Sequence, residues 1–353
     1  MAGTQIIDAN AHLVQLTDDS DIRAHMEKPY SDVLRSIFPG TGWDPSNYGR
    51  LGCREWNLES HLRAMDQEGI DLSVLSPTQG LLVSQIPRQG LPTGYRAQIR
   101  DRGLAAAYCR GYNNYVTKIC KQSPRLEAVG LVSFQDVSAA VAETNRVITE
   151  LHLAGIIVSS LGLAEHLGSQ LYWPIFETIQ RLGVPLFVHN LSYQVPLWHR
   201  YPDTFLFQDT VGGSVETLHA FTALMYAGIP EKFPELRIVF SNIGVGWIPY
   251  MMERMDSDFE RGGAEQAPLL THQPSEYIKK GNWYYTTTGN ESTIPFVLDW
   301  IGEDKIIFGS SYPDVDSPFP NAVSGFRQRD GISVRSKGKI LGENAGRLFG
   351  LNS

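Results

Sequence analysis

The stretch VPLFVHN, residues 184–190, decides the fold class because it is an almost unbroken apolar run that closes on two polar residues, His189 and Asn190. A strand that is apolar on both sides is typical of a parallel sheet covered by helices. Seven further runs of this kind occur along the chain. They are TQIIDA (4–9), DLSVLSP (71–77), LEAVGLVSF (126–134), AGIIVSS (154–160), LRIVFSN (236–242), WYYTTTG (283–289) and KIIFGSS (305–311).

Amphipathic segments separate these runs. In NLESHLRAMDQEG (57–69), Leu58, Leu62 and Met65 recur at helical spacing behind Asn57, a residue type that caps helices. Eight strand–helix units predict an α/β protein with a (β/α)8 TIM barrel, in one domain over residues 1–353. Long connections at 15–56, 78–102 and 191–213 are predicted to form lids, since loops of that length are often functional.

Composition excludes several classes of partner. The chain has 353 residues, with 30 basic and 38 acidic side chains and no block of like charge, which disfavours nucleic acid and anionic membranes. Its three cysteines lack the spacing of a zinc ribbon and are expected to be reduced thiols. No signal-peptide pattern and no apolar run of about 20 residues is present, so we expect a cytoplasmic protein.

The residues that close the strands are the candidates for an active site, because barrel enzymes place their sites at the carboxyl ends of the strands. They are Asn10, His12, His189, Asn242, Ser311 and Asp314. With them, the segments IIDANAHL, VPLFVHN, AGIPEKFPELRIVFSNIGVGWIPYMMERMD, IIFGSSYPDVDS and KILGENAGRLFGL carry a family resemblance. The chain resembles the amidohydrolase-2 family, the branch of the metal-dependent amidohydrolases that includes aminocarboxymuconate-semialdehyde decarboxylase and related aromatic-acid decarboxylases, hydratases and hydrolases.

This resemblance implies a metal site, from which the sequence departs. Members that bind a metal usually carry His-x-His after the first strand, His after the fifth, His or Glu after the sixth and Asp after the eighth. Here Asn10, Asn242 and Ser311 replace a histidine, the sixth-strand ligand and the aspartate, while His12 and His189 remain. Catalytic metals normally have at least three nitrogen, sulfur or charged oxygen ligands. We therefore expect no cofactor, with a residual divalent metal at His12 and His189 as the alternative.

The expected chemistry is metal-independent acid–base catalysis by His189, His12 and Asp314 on a small aromatic or carboxylated metabolite. The reaction is hydrolysis, decarboxylation or a lyase or cyclisation step. Further side chains are expected to bind the substrate, although each also has a plain structural interpretation. They are Asn10, Asn242, Ser311, Glu291, Trp198 and Arg200.

Two alternatives remain open. One is a metal-dependent hydrolase or decarboxylase with relocated ligands, for instance His12 and His189 with Asp314 or Glu291. The other is a non-catalytic descendant that binds a small molecule or serves as a partner subunit. A homodimer is also expected.

The segment GWIPYMMERMD (246–256) supports the homodimer, because its apolar residues are candidates for an exposed contact surface. They are Trp247, Tyr250 and Met251.

Overall fold

The computed structural model describes residues 5–14, 20–34, 56–78, 80–83, 101–190 and 208–351. Eight parallel strands follow one another around a single sheet in chain order. They are β1 (Ile7–Leu13), β2 (Leu72–Pro77), β3 (Leu126–Leu131), β4 (Gly155–Ser159), β5 (Leu186–His189), β6 (Ile238–Ser241), β7 (Trp283–Thr287) and β8 (Ile306–Phe308). All eight predicted strands are present, and the predicted (β/α)8 TIM barrel is confirmed.

The helices come between and after the strands. They are α1 (Ser20–Arg23), α2 (Tyr30–Val33), α3 (Leu58–Glu68), α4 (Gly80–Val83), α5 (Arg102–Cys120), α6 (Val137–Thr149), α7 (Trp173–Leu182), α8 (Gly213–Tyr226), α9 (Ile229–Lys232), α10 (Ile248–Gln266), α11 (Pro274–Lys280), α12 (Ile294–Ile301), α13 (Ala322–Gln328), α14 (Val334–Gly338) and α15 (Asn344–Phe349). Helix α3 begins as predicted, with the Asn57 side chain accepting a hydrogen bond from Ser60 N at 2.9 Å. No helix in the described ranges has the length and apolar character needed to cross a bilayer.

Strand β1 is longer at its carboxyl end than predicted. Its pairing with β2 shifts register between Asp8 and Ala11, and the strand continues to Leu13. Asn10 and His12 therefore lie within the strand and not after it. Beyond β8, Ser311 N donates to Asn10 O at 2.9 Å and His12 N donates to Tyr312 O at 2.8 Å. These bonds join the two ends of the sheet, and we call this junction the β1–β8 seam.

The predicted contact surface on α10 is mostly buried. Met251 is buried because it lies on the side of α10 that faces the core, and the half-buried ring of Trp247, just before α10, packs 4.9 Å from the ring of Phe221. Tyr250, in contrast, is 64% exposed. The prediction of an exposed Met251 is therefore wrong, that of Tyr250 is correct, and Trp247 is only partly exposed.

The predicted lid at 15–56 is described only over 20–34 and at 56, where it packs on α5. Arg110 contacts Glu27 at 3.2 Å, and Tyr115 donates to Asp21 at 3.2 Å. Most of the predicted lids at 78–102 and 191–213 lies outside the described residues, and so do Trp198 and Arg200. The single domain over 1–353 and the lid functions stay predictions.

Candidate active site

Two histidines meet inside the barrel. His12 lies in β1 and His189 closes β5, which is the strand on the opposite side of an eight-stranded barrel. Their Nε2 atoms are 3.2 Å apart, and the residues are 1% and 3% exposed. Such a contact between opposite strands can form only through the interior, so both imidazoles point to one place near the carboxyl ends of the strands.

The contacts of the other ring nitrogens determine where the protons lie. His189 Nδ1 is 2.5 Å from Asn190 O, and because a carbonyl oxygen only accepts, Nδ1 carries the proton. His12 Nδ1 lies 3.4 Å from the Asp314 carboxylate, which attracts a proton to that nitrogen, but the two groups do not form a hydrogen bond. With the His12 proton on Nε2, the contact between the two rings is an N–H···N hydrogen bond to His189. With the proton on Nδ1, both Nε2 atoms offer lone pairs to a cation between them.

The electrostatic surroundings favour a neutral His189. Burial, with a smaller effect of His12, lowers the pKa of His189 to about 3. Burial alone would raise the pKa of Asp314, but the contacts with His12, the Val315 backbone and His189 together leave that pKa lowered. Asp314 is therefore ionised near neutral pH. His189 is therefore neutral near neutral pH, and the acid–base role expected from the sequence stays a prediction.

Of the three neutral side chains predicted for the site, Asn10 contacts the histidine pair, and Ser311 and Asn242 contact each other. Asn10 Nδ2 lies 3.3 Å from His12 Nε2, and Asn10 Oδ1 is buried with no hydrogen-bond partner among the described residues. Since amide oxygen and nitrogen are assigned and not observed, Asn10 can present either atom to this place. Ser311 Oγ donates to Asn242 Oδ1 at 3.3 Å. The structure thus brings Asn10 and Asp314 to His12 and joins Ser311 to Asn242, and the roles of these residues stay predictions.

Glu291 has a different surrounding. Its carboxylate accepts from Val245 N at 2.6 Å and from Thr287 Oγ1 at 2.5 Å. Gly244 has φ 68°, and a Cβ atom at that residue would lie 2.4 Å from Glu291 Oε2. Glu291 therefore ties the loop after β7 to the loop after β6. Because both of its oxygens have these partners, the arrangement does not favour Glu291 as a relocated metal ligand.

Two residues of the seam were not predicted from the sequence. Asp8 accepts from Ser310 N at 2.9 Å and from Asn10 N at 3.2 Å, and its second oxygen lies 2.5 Å from Ser310 Oγ. Burial raises the pKa of Asp8, against the effect of these donors. The available signal was an acidic residue within the apolar run IIDANAHL, because a buried carboxylate requires donors nearby.

Comparison with known proteins places this geometry in a family. The amidohydrolase family model matches residues 7–351. The chain belongs to the amidohydrolase family. It is 26% identical over 300 residues to 2-amino-3-carboxymuconate-6-semialdehyde decarboxylase from Dictyostelium discoideum, covering 84% of this chain and 77% of that protein. It is 27% identical over 310 residues to gamma-resorcylate decarboxylase from Polaromonas sp., covering 83% and 87%. The prediction of an amidohydrolase-related enzyme is confirmed.

A solved structure of similar fold corrects the prediction about the cofactor. Dihydroxybenzoic acid decarboxylase from Polaromonas sp., solved with bound manganese and the inhibitor 2-nitroresorcinol, has a TM-score of 0.75 and 22% identity, covering 99% of this chain and 98% of that chain. The 5-carboxyvanillate decarboxylase from Novosphingobium aromaticivorans, also with bound manganese, has a TM-score of 0.74 and 22% identity, covering 99% and 96%. The prediction of no cofactor, and of metal independence with it, is wrong.

The physical reason for this correction lies in the histidine pair. The sequence analysis counted the ligands that Asn10, Asn242 and Ser311 replace, but it could not see that the remaining imidazoles converge. In metal sites a ligating histidine usually donates its other ring N–H to a carboxylate or a backbone carbonyl. His189 has the arrangement with a backbone carbonyl, and His12 Nδ1 faces the Asp314 carboxylate at 3.4 Å without a hydrogen bond.

The residues present fit a divalent cation, with a limited set of donors. Within the described ranges, no group of three or more His, Cys, Asp or Glu side chains is placed to hold an ion. The donors that fit are His12 Nε2, His189 Nε2 and the side-chain oxygen of Asn10. Because all three are neutral, we expect weaker ion binding than at a site that includes carboxylates.

Proposed function

We propose that the protein is a decarboxylase that acts on a small aromatic carboxylate and uses a divalent cation held by His12 and His189. The observation that carries this proposal is the convergence of His12 Nε2 and His189 Nε2, which lie 3.2 Å apart in the barrel interior. The two relatives described above support the proposal, because both are decarboxylases of carboxylated molecules.

The chain's own residues would prepare the site for such a reaction. Asn190 O fixes the Nδ1 proton of His189, and the Asp314 carboxylate attracts a proton to His12 Nδ1, which leaves both Nε2 lone pairs available to an ion in the same place. Asn10 contributes its amide oxygen once that amide is reversed. A divalent ion, when bound, supplies Lewis-acid polarisation of a substrate oxygen. Burial of the histidines keeps water from the same place and strengthens the electrostatic interactions there.

Ser311 and Asn242 are proposed to contact the substrate. Both residues follow the end of a strand, and their backbones lie in the left-handed region, with φ of 56° for Ser311 and 70° for Asn242. This backbone conformation sets the direction in which each side chain leaves the strand end. Asn242 N donates to Thr286 Oγ1 at 3.2 Å, and Asn190 Nδ2 donates to Asn242 O at 3.0 Å. Because its backbone is held on both sides, Asn242 is rigid enough to present its amide N–H groups to an oxygen of the substrate.

The test is release of carbon dioxide from a panel of aromatic carboxylates. The chelated protein is incubated with 2,6-dihydroxybenzoate, 5-carboxyvanillate or benzoate, with and without Mn²⁺, and carbon dioxide and the decarboxylated ring are quantified. We expect Mn²⁺-dependent release from at least one substrate, which His12→Asn and His189→Asn abolish. A matched control is His152→Asn, at an exposed histidine with φ 57°, a conformation that asparagine tolerates. No release from any substrate, or full activity in both site variants, would refute the proposal.

We also propose that the enzyme is a homodimer in the cytoplasm. Exposed aromatic side chains on neighbouring helices support the first part: Tyr250 on α10 is 64% exposed and Phe296 on α12 is 55% exposed. For the second part, burial raises the pKa of the Cys109 thiol and raises that of Cys120 to about 12, as expected of unreactive reduced cysteines. Light scattering and cell fractionation test these two statements.

A further inference from the structure

Ser76 lies beside the histidine pair, although no motif drew attention to it. It is the second-last residue of β2 and pairs with His12 in the β1–β2 ladder. Paired residues of neighbouring parallel strands point to the same side of the sheet. His12 points into the barrel, since it contacts His189 of the opposite strand, so Ser76 also points into the barrel next to His12.

The Ser76 hydroxyl is buried, with 0% of the residue exposed, and it has no hydrogen-bond partner in the described part of the chain. Ser73, three residues earlier in β2, is equally buried but points to the other face, where its hydroxyl lies 3.0 Å from His61 Nε2 of α3. One serine of this strand thus has a partner in an outer helix. The other directs an unpaired hydroxyl into the barrel beside the proposed cation site.

An unpaired buried hydroxyl needs an explanation, because most buried polar atoms in proteins have a partner. Its position suggests one. The two Nε2 atoms of the pair offer lone pairs only, whereas an oxygen-rich anionic substrate also needs hydrogen-bond donors. Ser76 provides an O–H donor on the strand adjacent to His12.

We propose that Ser76 is a substrate-binding residue whose hydroxyl donates a hydrogen bond to an anionic oxygen of an aromatic ligand. That oxygen belongs either to the carboxylate or to a ring hydroxyl beside it. This inference rests on the proposed function, and it names the group of the substrate that the neighbouring strand recognises.

The experiment compares Ser76→Ala with the matched control Ser73→Ala. Dissociation constants for 2,6-dihydroxybenzoate, benzoate and resorcinol are measured by calorimetry with Mn²⁺ present, and Tm is measured without ligand. We expect Ser76→Ala to weaken binding of 2,6-dihydroxybenzoate about 10- to 100-fold, the effect of losing a hydrogen bond to a charged group. Its Tm should stay unchanged or rise, because an unpaired polar group is removed. Ser73→Ala should lower Tm and leave binding unchanged.

The smaller ligands identify the oxygen. A loss of affinity seen with benzoate but not with resorcinol assigns the contact to the carboxylate, and the reverse result assigns it to the ring hydroxyl. Unchanged binding of all three ligands by Ser76→Ala, or a lowered Tm as in Ser73→Ala, would overturn the inference, as would a wild-type protein that binds none of them. Because calorimetry needs no turnover, a wild-type protein that binds the probes without releasing carbon dioxide would refute only the proposed reaction.

Discussion

Loading the chelated protein with Mn²⁺ should raise its Tm by about 4 °C. A ligand that binds only the folded state at 100 times its dissociation constant stabilises that state by about 2.7 kcal/mol. Unfolding entropy of about 2.1 cal/mol/K per residue amounts to about 0.74 kcal/mol/K for 353 residues. Dividing the first figure by the second gives the expected shift. The cause is the His12–His189 contact, where two imidazole nitrogens 3.2 Å apart can both bind one cation.

The assay is differential scanning fluorimetry of the chelated wild type and of three variants over a range of Mn²⁺ concentrations. His12→Asn and His189→Asn each remove one of the two imidazole donors and should lose most of the shift. His152→Asn changes an exposed histidine away from the site and should keep it. A wild type without any shift at millimolar Mn²⁺, or an unchanged shift in both site variants, would refute the reasoning about the lone pairs.

Three further perturbations test single contacts of the structure. Asp314→Asn removes the carboxylate that faces His12 Nδ1 at 3.4 Å and should weaken Mn²⁺ binding about 10- to 100-fold in a titration; an equal affinity would contradict the assigned proton positions. Burial lowers the pKa of His61 from 6.5 to about 4. As pH falls, the His61 side chain is therefore protonated in the unfolded chain before it is protonated in the folded protein. The free energy of unfolding should fall by about 3 kcal/mol as pH drops from 6.5 to about 4. Urea unfolding at pH 7 and pH 5 should show a smaller difference in His61→Gln than in the wild type. Glu291→Gln replaces an oxygen acceptor with an N–H donor and should reduce the free energy of unfolding by about 1–3 kcal/mol. Urea unfolding at pH 7 measures this change. An unchanged free energy of unfolding would mean that the hydrogen bond from Val245 N is unimportant for stability.

The strands were predictable because a strand that is buried on both faces consists almost entirely of apolar residues. Runs such as VPLFVHN and KIIFGSS are apolar on both sides, and this pattern located all eight strands of the barrel. The end of β1 was not predictable. Asn10 and His12 break the apolar run, but they continue the strand because the interior at this level holds polar groups and the register shift between Asp8 and Ala11 accommodates them.

The sequence predicted which residues lie at the candidate site, but it did not predict their hydrogen bonds and protonation. The strand ends identified His12, His189 and Asp314, which the structure places in contact. The proton positions depend on contacts such as that of His189 Nδ1 with Asn190 O, which no spacing in the sequence reveals. For the same reason the sequence could not show that burial lowers the pKa of His189 to about 3, and its acid–base role stays a prediction.

The neutral donors of this site have a consequence for how ion and substrate bind. Asp314 is the described carboxylate that contacts the histidine pair, so a divalent cation there would keep about one unit of positive charge uncompensated. An anionic substrate supplies the missing charge, and the affinity of each should therefore rise when the other is bound, by the same factor. Titrating Mn²⁺ with and without 2,6-dihydroxybenzoate measures this coupling, and resorcinol, which lacks the carboxylate, is the control. Equal Mn²⁺ affinity in all three titrations would show that the site binds its ion without the help of an anionic ligand.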